Sequence, residues 1–273
     1  MTGGRRTAPA SRAGHRAARA RTAVVRAAVA GALALLLPPA ARAGPPYLTD
    51  DPEPVEYRHW EVYLASIDFA GPDGQWTGTA PHVEVNYGVV PDVQLHVLAP
   101  MAYARTPGGP TTYGYGDTEL GVKWRFVEET DSVPMVGIFP LVELPTGDAS
   151  RGLGNGVAQL FLPVWVQKSF GPWTTYGGGG FWLNPGTGNR NYWFAGWLLQ
   201  RRLAEWLDVG GELTFNTARR VDASAEVRFD VGVVVDLSSL HHLLASGGTT
   251  IGGSFAGQFY VGWQLTFGPA DAR

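Results

Sequence analysis

From residue 57 onward, apolar and polar residues alternate with a period of two, in stretches bounded by Gly, Pro, Asn and Asp. Twelve such stretches predict twelve strands, over 57–69, 80–88, 93–104, 116–128, 133–144, 156–169, 172–183, 191–203, 205–216, 222–236, 241–248 and 257–267. In the second, Val83, Val85 and Tyr87 share one face and His82, Glu84 and Asn86 the other. The third sets Val93, Leu95, Val97, Ala99, Met101 and Tyr103 against Gln94 and His96. The fourth is the clearest, with Leu120, Val122, Trp124 and Phe126 alternating with Asp117, Glu119, Lys123 and Arg125. In the tenth, Val227, Phe229, Val231, Val233 and Val235 oppose Glu226, Arg228 and Asp230.

The connections alternate in length. Short turns near 89–92, 129–132, 170–171, 204 and 238–240 exchange with longer segments at 71–79, 105–115, 145–155, 184–190, 217–221 and 249–256. That alternation, with one apolar face per strand, is the pattern of a transmembrane β-barrel of the outer-membrane type. In hydrocarbon an open sheet edge would leave backbone groups without partners, so about twelve antiparallel strands must close on themselves. Aromatic residues sit near strand ends as often as at strand centres, at Trp60, Tyr87, Tyr103, Trp124, Phe126, Trp165, Trp173, Trp182, Trp193, Trp197, Trp206 and Trp263, a distribution that predicts interfacial girdles. The last strand ends at Phe267, resembling the terminal strand read by the outer-membrane assembly machinery, although six residues follow it.

The first 43 residues differ. They hold eight Arg and no acid, then an apolar run from Ala27 to Leu37, a Pro38-Pro39 break and Ala41-Arg42-Ala43. This order predicts an export signal cleaved after Ala43. The run is too short to span a bilayer. The expected organisation is therefore a signal peptide (1–43), a periplasmic lead-in (44–56), the barrel (57–267) and a tail (268–273), with the product in a bacterial outer membrane.

Composition narrows the chemistry. Beyond residue 43 the chain carries 13 Lys and Arg against 24 Asp and Glu, which excludes nucleic acid as an expected partner. The 273 residues contain no Cys, so disulfides, thiolate metal sites and Cys nucleophiles are excluded. Expected partners are outer-membrane lipid, the assembly machinery and a small-molecule solute, with no cofactor.

The inward polar face supplies the candidate site residues: His82, Glu84, Gln94, His96, Asp117, Glu119, Lys123, Arg125, Glu226, Arg228 and Asp230. Two readings fit these charges. They could be a lumen wall that filters solutes, or cross-strand ion pairs that pack a narrow barrel. His82, Glu84 and His96 fall on facing sides of adjacent strands, but a metal site needs a further ligand at defined geometry. His241 and His242 are adjacent, so a strand sends their rings to opposite faces. Gly177–Gly180 lacks the Lys-Ser/Thr of a phosphate loop and reads as strand. Ser66, Ser169, His59 and His241 are the candidates for a Ser–His enzyme, but none lies in a recognisable motif, and the expectation is a non-enzyme.

Several runs are similar to a known family. They are Gly114-Tyr115-Gly116-Asp117-Thr118-Glu119-Leu120-Gly121-Val122-Lys123-Trp124-Arg125-Phe126, Pro140-Leu141-Val142-Glu143-Leu144-Pro145-Thr146-Gly147-Asp148, Gly152-Leu153-Gly154-Asn155-Gly156 and Trp173-Thr174-Thr175-Tyr176-Gly177-Gly178-Gly179-Gly180. Together they resemble the proteobacterial outer-membrane barrels labelled "MetA-pathway of phenol degradation", across about 50–267. The resemblance implies a barrel with a transport-like role and, by the label, uptake of aromatic compounds. The expectation is passive passage of small aromatic or hydrophobic molecules. The alternatives are a structural or adhesin-like barrel with a plugged lumen, or a lipid-modifying barrel enzyme.

Overall fold

The computed structural model describes residues 46–71, 74–254 and 256–269. The expected export signal with its cleavage site, residues 44–45 of the lead-in and residues 270–273 of the tail lie outside that range. Fourteen strands form one sheet: β1 (Trp60–Ala70), β2 (Trp76–Val90), β3 (Val93–Arg105), β4 (Thr112–Tyr115), β5 (Thr118–Val127), β6 (Met135–Ile138), β7 (Leu141–Leu144), β8 (Gln159–Phe170), β9 (Trp173–Leu183), β10 (Tyr192–Ala204), β11 (Leu207–Asn216), β12 (Glu226–Asp236), β13 (His241–Gly252) and β14 (Gly257–Phe267). All strand pairings are antiparallel.

β4 and β5 both pair with β3, so they are one barrel strand interrupted at Gly116-Asp117. β6 and β7 likewise share β5 and β8 as neighbours. Their break falls at Phe139-Pro140, where Pro has no N–H to give to a ladder. β1 then pairs with β14 from Trp60↔Phe267 to Ala70↔Gly257. The result is a closed antiparallel barrel of twelve strands, with no free edge.

The twelve predicted strands all form; β8 and β12 start later at the loop end than predicted, at Gln159 and Glu226, and three loop ends are extended. β4 occupies part of the predicted loop 105–115, β2 starts at Trp76 instead of 80, and β13 runs to Gly252 instead of 248. These extensions are rich in Gly, Thr and Tyr and show no polar alternation. A neighbour's backbone donors and acceptors suffice to extend a ladder without a side-chain pattern.

The polarity of the barrel is inverted relative to a soluble protein. Leu64, Leu95, Leu120, Val122, Trp124, Leu162, Val164, Phe229, Val231 and Val261 are exposed. Glu84, Gln94, Lys123, Gln167, Glu212, Arg228, Asp230, His242 and Gln264 are buried. An apolar exterior around a polar interior is stable only where hydrocarbon surrounds the barrel. Outward aromatics pair near the turn end, as in Trp60–Tyr87 at 4.2 Å, and near the loop end, as in Phe181–Trp193 at 4.9 Å. Two residues assigned to the girdles do not belong there. Trp165 is 1% exposed and, with Trp182, lines the interior. On β8 both Gln159 and Gln167 share the parity of Phe161 and Trp165, and the polar pair marks that face as inward.

The lead-in is also placed differently from the expectation. Residues 46–55 do not extend away from the barrel but cross its lumen. Val55 N donates to Gln94 Oε1 on β3 (2.8 Å), and Ser246 Oγ on β13 donates to Pro46 O (2.6 Å). Thr49 and Asp51 are fully buried between these ends. The polar lumen meets the segment's main-chain N–H groups at Leu48, Thr49 and Val55, through Glu212 and Gln94.

Candidate functional site: the lumen

The crossing segment is held by side chains from all around the wall. Glu212 on β11 accepts N–H from Leu48 and from Thr49, each at 2.8 Å. Lys123 on β5 bonds Asp50 at 2.9 Å and lies 3.7 Å from Asp51. Gln167 on β8 donates to Glu53 (3.2 Å). Glycines make room: a Cβ on Gly196 would collide with Thr49 Oγ1, and one on Gly232 would meet the Tyr47 ring at 2.8 Å. Strands β10 and β12 thus use Gly where the segment approaches their backbone.

This environment shifts the segment's acids. Burial lifts Glu53 to about 7, with the Gln167 hydrogen bond, Arg125 and Lys123 opposing. Burial also raises Asp51 well above the usual carboxylate range, against the pull of Lys123. Tyr47 is pushed up by burial and by Glu212.

Toward the loop end lies a cavity of about 680 Å³, floored by Pro46, Tyr47, Leu48 and Asp50. One wall is aromatic. Phe161 and Trp182 stack at 4.7 Å and 8°, Trp182 and Tyr192 at 5.9 Å and 12°, and Phe194 meets Phe161 edge-on at 6.0 Å and 87°. The rest of the lining carries His82, Glu84, Asp117, Glu119 and Glu143, interspersed with Ile67, Phe69, Phe139, Leu141 and Tyr260. The long loop 145–158 is tied to this lining, since Asp117 accepts N–H from Gly147 (2.8 Å) and Asn155 (2.5 Å).

Among the predicted residues, His82, Glu84, Asp117 and Glu119 line the cavity. His96 joins Glu119 (Nε2, 2.9 Å), Asn86 (Nδ1, 2.8 Å) and Glu84 (Nδ1, 3.6 Å) in one network. His82 stays apart, bonded to Thr79 Oγ1 at 2.7 Å. No group of three His, Asp or Glu suited to a metal occurs among the described residues. Gln94 and Lys123 bind the crossing segment. Arg125 sits at the turn end on Asp92 (2.5 Å). Arg228 donates to Gln258 (2.6 Å) and lies 3.9 Å from Glu226. Asp230 is fully buried directly across from Glu212.

His241 stacks on Trp263 at 5.4 Å, while His242 turns inward to Asp236 at 2.7 Å and Thr266 at 3.0 Å. Ser66 bonds Asp68, the Ser169 main-chain N–H bonds Glu129, and His59 reaches Tyr57 O. No side-chain hydrogen bond among the described residues joins Ser66 or Ser169 to His59 or His241.

The sequence reading missed Glu212, Glu143, Arg219 and the inward aromatics. Glu212 follows Gly210-Gly211 on an otherwise weak alternation, and its parity with Asp208 and Thr214 was the available signal.

No protein-family model matches the chain, and no curated protein matches it. Solved structures do. The chain is similar to the COG4313 outer membrane channel from Pseudomonas putida F1, with a TM-score of 0.66 at 13% identity, covering 85% of this chain and 100% of that one. It is similar to the KdgM porin, with a TM-score of 0.54 at 10% identity over 76% of this chain and 99% of that one. It also resembles the NanC porin, with a TM-score of 0.54 at 6% identity over 75% and 98%. At such identities the likeness is one of fold, that of outer-membrane channel and porin barrels.

Proposed function

We propose that the chain is an outer-membrane channel for small aromatic or hydrophobic molecules. The observation that carries this reading is the cavity of about 680 Å³ with its wall of Phe161, Trp165, Trp182, Tyr192 and Phe194. Most inward positions of the barrel are polar, so five aromatic side chains gathered on one side of a lumen are costly to leave facing water, and they suit an apolar solute. The resemblance to the phenol-degradation barrels and the fold shared with channels and porins support the same direction. In this reading the loop end faces outward and the turn end faces the periplasm.

The segment 46–55 favours a second reading, a structural barrel with its lumen closed. Single-channel recording separates the two. The channel reading expects stepwise currents that phenol or toluene reduces, and a several-fold larger step once residues 46–55 are deleted. A barrel that folds, shown by faster migration unheated than boiled, yet stays silent both with and without the segment, would leave the structural reading standing.

A further inference from the structure

The aromatic wall has an electrostatic direction. Phe161, Trp182 and Tyr192 are cross-strand neighbours on β8, β9 and β10. Nearly parallel rings 4.7 Å apart must lie face on face, because rings side by side in one plane would overlap at that distance. The stack therefore runs around the wall from strand to strand. Phe161 and Trp182 cover one another's faces and Tyr192 is offset from Trp182 at 5.9 Å, so a stack running along the wall offers its ring edges to the lumen. Ring edges are the positive part of the aromatic quadrupole.

Arg219 continues the stack. Its guanidinium carbon lies 5.3 Å from the Tyr192 centroid, and it lines the same cavity. Its main chain is fixed, since Arg219 O accepts from Arg190 N (2.9 Å) and Asn184 Nδ2 (3.2 Å). Among the described residues its side chain has no ion pair and no hydrogen bond. The neighbouring Arg220 reaches only Asp222, at 3.3 Å, with both side chains exposed.

The cavity's carboxylates are different, because each already has a donor. Asp50 has Lys123 and Glu84 has Asn86. Asp117 has two backbone N–H groups, Glu119 has His96, and Glu143 has Asn155. Arg219 is thus a cavity-lining side chain with neither hydrogen bond nor ion pair among the described residues, and it stands at one end of the aromatic stack.

We propose that this wall is a binding subsite for aromatic carboxylates, with the π face of the ligand ring on the edges of the Phe161–Trp182–Tyr192 stack and its carboxylate on the Arg219 guanidinium. A planar guanidinium suits a carboxylate because its two N–H groups can donate in parallel. The proposal rests on the channel reading above and names the solute class that the channel would hold longest.

The test compares four solutes added at equal concentration from the loop side during single-channel recording: benzoate, benzyl alcohol, benzylamine and acetate. Benzoate should reduce the current saturably, with a half-blocking concentration at least tenfold below those of the other three. Arg219→Gln should remove that tenfold advantage and leave the block by benzyl alcohol unchanged, and Arg219→Lys should restore only part of it. Equal block by benzoate and benzyl alcohol would overturn the proposal, as would strongest block by benzylamine or no effect of Arg219→Gln.

If the channel is silent, benzoate quenching of Trp182 replaces the current, measured in detergent as the difference between the wild type and Trp182→Phe. Saturable quenching lost in Arg219→Gln would keep the subsite while the channel reading fails. No saturable quenching would overturn the subsite as well.

Discussion

The Glu212 carboxylate accepts the main-chain N–H of Thr49 at 2.8 Å, and its second oxygen accepts that of Leu48 at the same distance. One wall side chain therefore fixes two consecutive peptide groups of the crossing segment. Hydrogen bonds to a charged acceptor contribute roughly 1.5–3 kcal/mol each, and here the Thr49 bond is buried and the Leu48 bond partly so. Glu212→Ala should release the segment while the barrel still folds. The expected readout is a larger and noisier single-channel conductance, with heat-dependent gel mobility unchanged. A wild-type trace would show that the other tethers suffice.

Lys123 is the buried counter-charge of Asp50 and Asp51. Lys123→Met leaves two carboxylates facing each other without a cation, a loss on the order of 3–5 kcal/mol when one member of a buried pair is removed. The segment should leave the lumen, and a spin label on Leu48→Cys should change from immobile to mobile. The chain has no other Cys to compete for the label. Adding Asp50→Asn and Asp51→Asn to Lys123→Met should recover much of the immobile signal.

The docked segment should be held more firmly in acid than in mild alkali. Glu53 is lifted to about 7 by burial, from an ordinary value of 4.5. A carboxyl with a raised value binds its proton more tightly when docked than when released. Docking is therefore fully favoured below pH 4.5, weakens as pH rises from 4.5 to 7, and levels off above 7. Asp51 moves in the same direction. Arg125 and Lys123 oppose the shift and Glu61 adds to it, so the window belongs to the group as a whole. The same Leu48→Cys label should gain mobility between pH 5 and 8, and Glu53→Gln should flatten that change.

Asp230 and Glu212 are register partners on adjacent strands, both buried, and neither oxygen of Asp230 has a hydrogen-bond partner among the described residues. Like charges directly opposite on a sheet destabilise it. Asp230→Asn should raise the urea midpoint of unfolding. The next residue on β12 responds in the opposite sense. Val231 faces outward at mid-strand and is 52% exposed, so Val231→Arg should cost about 2–4 kcal/mol in a bilayer. If Val231→Arg were neutral in lipid vesicles, hydrocarbon could not surround that face.

The alternation in β5 and β12 was enough to sort their side chains. Val122 and Phe229 face out, and Lys123 and Asp230 face in. That sorting is local, because successive residues of a strand point to opposite sides whatever their partners. The same rule places Trp165 inside, since Gln159 and Gln167 share its parity on β8 and a polar pair outranks aromatic character as a sign of the inward face.

The sequence by itself therefore determined the strands, their two faces and, because no edge can stand open in hydrocarbon, the closed barrel. Only the tertiary structure decided what fills it. Leu48 and Glu212 are 164 residues apart, and Pro46 and Ser246 are 200 apart. Nothing periodic connects them. Residues 46–55 enter the lumen because closure gathers Gln94, Lys123, Gln167 and Glu212 around one axis, where unpaired main-chain donors and buried charges find partners. The same closure sets Phe161, Trp182, Tyr192 and Arg219 side by side, from three strands and a loop whose separate patterns give no sign of a shared wall.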